Sequence, residues 1–564
     1  MGLGITRGLL LALAALAITA TVSRSDIARG SKGIVSTVHP IATDAATRAF
    51  ERGGNAVDAA VAAALTLGVV DGHDSGIGGG CFMLIRTATG KFVALDGREK
   101  APAAATRDMF IRKGKPDPAL AQTGALAAGV PGALLVYEHA LNQYGRLSLD
   151  SHLLAAAEIA EQGFSIDRTY ANRLAATAVE LRQFESSRKV FLKPDGSPYK
   201  AGEILRQPDL AASYRAIAEQ GTHWFYRGDF AQATESWMRK NGGLITAEDF
   251  TNYKFVQREP LRTTYRSYEI VGFPPPSSGG VHVAQILNML EPFNLNGMVA
   301  NSAEFIHVVA EAMKLAFADR AHWVGDPDFA PVPRGLASKQ YAAGLSQRIH
   351  LDRATPVPTH GEPPNASSDI FKKHTTHFST ADRDGNWVAC TATVNTSFGC
   401  KVVVPGTGIV LNNQMDDFSI QPGVSNYFGL IGAEANAVAP GKRPLSSMSP
   451  TIVLKDGKPV FSVGAAGGPT IISQAALAII NVIDFGMDND SALKQPRFHH
   501  QWAPDELRIE KSVPAEVRAK LEKRGHKLKV VDSMGAAQAI ALDPESASFT
   551  GAPDPRGEGK AAGF

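Results

Sequence analysis

Cysteine is scarce in this 564-residue chain: Cys81, Cys390 and Cys400 are the whole complement. A disulfide framework is excluded at that density, and the odd number leaves at least one thiol free; spacing does not decide whether Cys390 and Cys400 pair. No CxxC, no HExxH and no Cys/His cluster occurs, so no metal and no redox site is expected. Net charge is sparse as well, at +2 with a pI of about 8.3. That balance argues against nucleic acid or a membrane surface as partner. Beyond the first two dozen residues no stretch approaches the ~20 apolar residues that span a bilayer, and no internal repeat is present.

What is present starts with Arg7, an apolar run from Gly8 to Ile18, and small residues at Ala20 and Ser23. This reads as a secretory signal peptide over residues 1–23, cleaved near Ala20 to Ser23, the alternative being an uncleaved anchor for which the run is short. The expectation is a secreted, periplasmic protein. The whole chain is 44% apolar and 20% charged, ordinary for a soluble globular chain. Its length allows two or three domains, or one large intertwined unit with a core that needs no staples.

The pattern predicts a strand over 33–38, helices over 43–52 and 56–69 broken at Gly53-Gly54-Asn55, and strands over 81–87 and 91–96. Residues 150–350 read as mostly helical. The clearest helix is 302–320, with Ser302 as N-cap and an apolar face of Phe305, Val308, Val309, Ala312, Leu315 and Ala316. Residues 354–369, rich in Pro, Ser and Gly, read as an exposed connection. From about Thr375 the chain turns β-rich: 375–381, 387–398, 408–411, 451–455 and 459–462, then a helix over 470–485. Helices beside strand runs give layered α and β.

The segment His374-Thr375-Thr376-His377-Phe378-Ser379 stands where the Pro-rich connection meets a strand. Threonine is a good strand former, which is the plain reading. Chemistry requires more, because a hydroxyl is a poor nucleophile without a base beside it. If the bond before Thr375 is cut, the new α-amine, with a pKa near ~7.7–8.0, becomes that base.

The blocks Thr375-Thr376-His377-Phe378-Ser379, Asp384-Gly385-Asn386, Thr393-Val394-Asn395-Thr396-Ser397-Phe398-Gly399 and Leu411-Asn412-Asn413-Gln414-Met415-Asp416-Asp417-Phe418 resemble the small subunit of γ-glutamyltranspeptidases. Arg443 to Pro450 and Gly464 to Pro469 do too. Upstream, Gly54 to Ala60 and Leu95 to Glu99 resemble the large subunit. The resemblance implies an N-terminal-nucleophile hydrolase: an αββα sandwich, made as one precursor that cuts itself into a large subunit (24–374) and a small subunit (375–564) forming a heterodimer. It needs no cofactor. Thr375 is then the nucleophile, Thr393 a hydroxyl near it, and Gly467 and Gly468 the backbone donors to the oxyanion.

The implied substrate is a γ-glutamyl amide such as glutathione, with water or an amino acid or peptide as acceptor. A γ-glutamyl group ends in a carboxylate and an ammonium on one carbon. The carboxylate suits a guanidinium, which binds it through two parallel hydrogen bonds. Arg98 matches that role, beside the hydroxyls of Ser446 and Ser447; Asp417, Asn395 and Gln414 match the ammonium acceptors. Two departures stand out. Phe428, with Tyr427 adjacent, occupies the place of a lid tyrosine within residues 422–433 and lacks its hydroxyl, and His73-Asp74-Ser75 precedes the glycine cluster Gly76-Ile77-Gly78-Gly79-Gly80. That cluster, and Pro276-Ser277-Ser278-Gly279-Gly280, read as packing or pocket-wall features. Two rivals remain: an acylase of the same fold acting on glutaryl or β-lactam side-chain amides, and a secreted amino-acid-binding protein that has lost catalysis.

Overall fold

The computed structural model describes residues 27–366 and 379–564. The expected signal peptide, and the run from His374 to Phe378 with Thr375 in it, lie outside the described residues.

Two seven-stranded sheets form the centre. One runs, edge to edge, Ala28–Gly30, Ser548–Pro553, Ala536–Asp543, Lys458–Ala466, Thr451–Lys455, Tyr268–Gly272 and Leu261–Tyr265. The other runs Lys560–Gly563, Gly33–Thr37, Ser379–Asp382, Trp387–Thr393, Gly80–Arg86, Phe92–Gly97 and Val256–Arg258. Every pairing in both is antiparallel.

The strand Gly80–Arg86 shows why the sheets are covered on both faces. Successive side chains point to opposite sides. Cys81, Met83 and Ile85 enter the helical side of the core, while Leu84 joins the layer between the sheets. That layer sets Ile34, Leu84, Ala381, Trp387 and Ala389 of one sheet against Val271, Ile452, Leu454, Ile540 and Phe549 of the other. Helices Pro40–Glu51, Ala56–Val70 and Ala133–Tyr144 pack on the outer face of the second sheet, and Gly279–Leu290 and Thr470–Ile483 on that of the first. The αββα layering expected from the resemblance is therefore the observed one.

Both sheets contain segments from before and after residue 375, so the chain is the intertwined unit rather than a row of domains. The strand Ser379–Asp382 lies between Gly33–Thr37 and Trp387–Thr393. It is also clamped to the start of helix Ala56–Val70: Thr380 Oγ1 donates to the Ala56 carbonyl at 2.6 Å, and Ala56 N donates to Asp382 Oδ2 at 2.9 Å. Asn55 and Asp58 close a capping box there.

Three expectations need correction. Strands Val256–Arg258, Leu261–Tyr265 and Tyr268–Gly272 lie in the stretch read as mostly helical. Residues 408–411 form no strand, only an isolated Val403–Val410 bridge. The connection from Ala354 is not loose as far as Gly361. Lys314 Nζ donates to the Thr355 carbonyl (2.9 Å), Trp502 Nε1 to that of Val357 (2.7 Å) and Trp323 Nε1 to that of Gly361 (3.0 Å). All three cysteines are free and buried, so Cys390 and Cys400 do not pair.

Candidate active site

A cavity of about 510 Å³ opens where Gly33–Thr37, Trp387–Thr393 and Lys458–Ala466 end, within the ~300–1,000 Å³ usual for small-molecule sites. Arg98, Thr393, Asn395, Gln414, Asp417, Ser446, Ser447, Gly467 and Gly468, named from the sequence, all line it.

Arg98 follows strand Phe92–Gly97 and is only 1% exposed. Its Nη2 donates to Asp417 Oδ2 at 2.6 Å and to the Leu445 carbonyl at 3.2 Å, and its Nε to the Pro444 carbonyl at 3.1 Å. The fork expected for a carboxylate is thus partly spent. Nη1 makes no hydrogen bond among the described residues; its nearest charge is Glu99 Oε2 at 3.6 Å. Burial pushes the Glu99 carboxyl up to about 8, so at neutral pH it is mostly uncharged and Arg98 is left to Asp417. Burial also raises Asp417, while Arg98 and Arg320 hold it down.

Gln414 stands beside Asp417. It is 1% exposed, its Nε2 is 3.4 Å from Asp417 Oδ2, and its Oε1 has no partner among the described residues. Asn395 holds a left-handed φ of +80° and donates to the Asn413 carbonyl at 3.0 Å. That bend aims the loop after Thr393 back along the cavity. Thr393 Oγ1 accepts from Asn395 N at 2.8 Å, leaving its proton to donate.

Gly467 and Gly468 have φ of +136° and +58°, conformations that L side chains rarely adopt. They stand between strand Lys458–Ala466 and helix Thr470–Ile483, so both are also the strand-to-helix turn. Neither amide N–H finds an acceptor among the described residues, and both residues reach the cavity. Unpaired N–H groups at such a turn suit a developing negative charge.

Comparison with known proteins gives the family. The sequence model of the Gamma-glutamyltranspeptidase family matches residues 42–564. The chain belongs to the γ-glutamyltranspeptidase family. It is 44% identical over 531 residues to the glutathione hydrolase proenzyme of Escherichia coli (strain K12), covering 94% of this chain and 91% of that one. Among solved structures it is similar to the cephalosporin acylase of Bacillus halodurans, with a TM-score of 0.86 at 29% identity over 98% and 99% of the two chains. A chain of Helicobacter pylori γ-glutamyltranspeptidase gives a TM-score of 0.56 at 41% identity, covering 57% of this chain and 92% of that chain. This family member is accordingly an enzyme.

In this γ-glutamyltranspeptidase-family chain the loop 422–433 folds over the cavity. Tyr427 N donates to the buried Asp416 Oδ2 at 3.0 Å, and Gln501 Nε2 donates to the Gly429 carbonyl at 3.0 Å. Tyr427 is 59% exposed, whereas the Phe428 ring lies so close to Gly468 that a Cβ there would come within 2.5 Å of Phe428 Cδ1. The glycine cluster is packing: a Cβ on Gly78, Gly79 or Gly80 would meet the Val410 carbonyl, the Thr393 carbonyl or Glu99. Ser277 and Ser278 brace the cavity wall from behind, Ser278 N and Oγ both donating to the Ser446 carbonyl at 2.8 and 2.7 Å.

His73 is enclosed by the Tyr170 and Phe398 rings. With Asp71 and Asp74 it could offer three ligand atoms within 4.8 Å, but Arg173 already acts on Asp71 as a neighbouring positive charge.

Sequence reading missed Arg320 and the tether at Asp416. The signal for Arg320 was available. The apolar face of the 302–320 helix runs through Leu315 and Ala316, and three and four residues on from Ala316 it meets Asp319 and Arg320. Charges on a core-facing stripe need partners inside.

Proposed function

We propose that this protein transfers or hydrolyses the γ-glutamyl group of glutathione and related γ-glutamyl amides through an ester on Thr375, formed after the chain cuts itself between His374 and Thr375. The observation that carries this reading is the polarity of the cavity. Asp417 and the unpartnered Gln414 Oε1 suit an ammonium, and Ser446, Ser447 and Arg98 Nη1 suit a carboxylate, all in one cavity.

Ser379 stands opposite Ala389 in the antiparallel ladder. The neighbouring strand Trp387–Thr393 ends at the cavity, which Thr393 lines, and this reading puts the nucleophile there. There the α-amine of Thr375 takes the hydroxyl proton and the oxygen attacks the γ-carbonyl. The N–H groups of Gly467 and Gly468 receive the oxyanion, and Thr393 donates to the Thr375 oxygen. The amine returns the proton to the leaving nitrogen, and water or an amino-acid or peptide acceptor opens the ester. Self-cleavage uses the same oxygen: it attacks the His374 carbonyl, the C–N bond to Thr375 breaks as the nitrogen takes up the hydroxyl proton and becomes the free amine, and water opens the ester that results.

The E. coli relative, a proenzyme, and the H. pylori chain, which covers 57% of this one, support maturation into residues 24–374 and 375–564 as a heterodimer. Removal of residues 1–23 and a periplasmic location belong to the same reading. Among the described residues no helix is long and apolar enough to cross a membrane.

The likeness to a cephalosporin acylase favours a second reading, acylase activity on glutaryl-type amides. Such acyl groups lack the ammonium and leave the Asp417 carboxylate facing none. Turnover of γ-glutamyl and glutaryl anilides separates the two: the γ-glutamyl anilide is expected to be strongly preferred. Preference for the glutaryl compound would overturn the first reading, and turnover of neither would favour the amino-acid-binding protein.

A further inference from the structure

Arg320 projects from helix Ala303–Trp323 into the core behind the cavity wall and is 4% exposed. Its Nε donates to Ser278 Oγ and its Nη2 to Ser447 Oγ, both at 2.9 Å. No carboxylate lies within ion-pair distance of it among the described residues; the anion that acts on it is Asp417, already bonded to Arg98. A buried guanidinium without its own counter-ion is costly to hold.

The bonding polarity is informative. A guanidinium only donates, so the oxygens of Ser278 and Ser447 must accept from it. The Ser447 hydroxyl proton is thereby turned away from the positive charge, and it has no acceptor among the described residues. Ser447 lines the cavity. Ser446 Oγ accepts from Met448 N at 3.2 Å and is likewise left with a proton to give. Ser278, accepting from Arg320, passes its own proton to the Ser446 carbonyl at 2.7 Å. One arginine thus fixes both the place of the 446–447 segment and the direction in which Ser447 donates.

We infer that Arg320 is a positioning residue for the donor's α-carboxylate: it sets the Ser447 hydroxyl as a donor into the cavity and supplies a second positive charge behind it, one that has no carboxylate of its own among the described residues, so that an α-carboxylate on the substrate completes the wall. This rests on the γ-glutamyl reading above. It adds a determinant of donor selectivity that never touches the substrate.

The test compares γ-glutamyl-4-nitroanilide with 4-aminobutyryl-4-nitroanilide, the same donor without its α-carboxylate, on wild type, R320M, R320K, S447A and R320M/S447A. Wild type is expected to prefer the γ-glutamyl compound. R320M should lower kcat/KM for it by about 10- to 100-fold, mostly through KM, and change the decarboxylated donor by less than about 3-fold. R320K should keep part of the preference, and S447A should add little on top of R320M because the two act through one hydrogen bond. Equal losses on both donors, or additive losses in the double variant, would overturn the inference and leave Arg320 a purely structural residue. Should R320M fail to fold, R320K decides by the same donor ratio, an unchanged ratio being the overturning result. A wild-type enzyme that acts on neither donor, or does not prefer the carboxylated one, would instead contradict the γ-glutamyl reading itself.

Discussion

Arg98 and Asp417 meet across a 2.6 Å hydrogen bond in the wall of the cavity, and the guanidinium opposes the burial that raises the Asp417 carboxyl. Under the γ-glutamyl reading, the pairing answers a difficulty in building a site for a zwitterion. Separate pockets for a carboxylate and an ammonium would bury two unpaired charges, each costing several kcal/mol. Here they are paired beforehand, while Arg98 Nη1 and the nearby Gln414 Oε1 make no hydrogen bond among the described residues. A free amino-acid head can enter beside the pair without breaking it.

Asp417→Asn is therefore expected to cost the γ-glutamyl anilide about 10- to 100-fold in kcat/KM, the range for a hydrogen bond to a charged group. The glutaryl anilide, having no ammonium, should lose far less. Parallel steady-state kinetics check this, and equal losses would assign Asp417 to folding alone.

Gly468→Ala tests the unpaired N–H groups. At φ +58° and with the Phe428 ring so close, a methyl group must shift the turn or the ring. Loss of one oxyanion donor is expected to lower kcat by about 100-fold or more. The double variant with Phe428→Ala should not restore it. Full restoration would place the damage in crowding under the lid loop.

Asp416 supplies a pH dependence. It accepts from Gln122 Nε2 at 3.1 Å and from Tyr427 N at 3.0 Å. Burial, and then the charge of Asp417, push its carboxyl up to about 7. Between about pH 4 and about pH 7 the folded protein therefore keeps a proton that the unfolded chain has released. The stability this gives is complete below about pH 4 and lost as the pH rises to about 7. Asp416→Asn removes that slope, so relative to wild type it should gain about 1–3 kcal/mol between about pH 5 and about pH 8. Denaturant midpoints at the two pH values measure it, and a difference independent of pH would contradict the assignment.

The layers were legible because periodicity and family-like blocks agreed: Gly33–Thr37, Ala56–Val70 and Thr470–Ile483 fell close to where the pattern placed them. The strands between Val256 and Gly272 were not legible. They are short, and Leu261–Tyr265 alternates buried and exposed residues at a sheet edge within a mostly helical neighbourhood. The cavity residues were legible as types but not as partners. Nothing in Leu95-Asp96-Gly97-Arg98-Glu99 announces that Arg98 would spend its Nη2 on a carboxylate 319 positions away. Arg320 escaped because a helix with a core-facing charge reads first as a helix.

The measurement that bears most directly on the central claim is the intact mass of the purified, active protein under denaturing conditions, beside Thr375→Ala. Two chains are expected from wild type, the smaller running from Thr375 to Phe564, and a single inactive chain, uncut before position 375, from the variant. An active wild-type protein whose backbone runs unbroken through His374 and Thr375 would contradict the account, since the threonine would then have no free amine to act as its base.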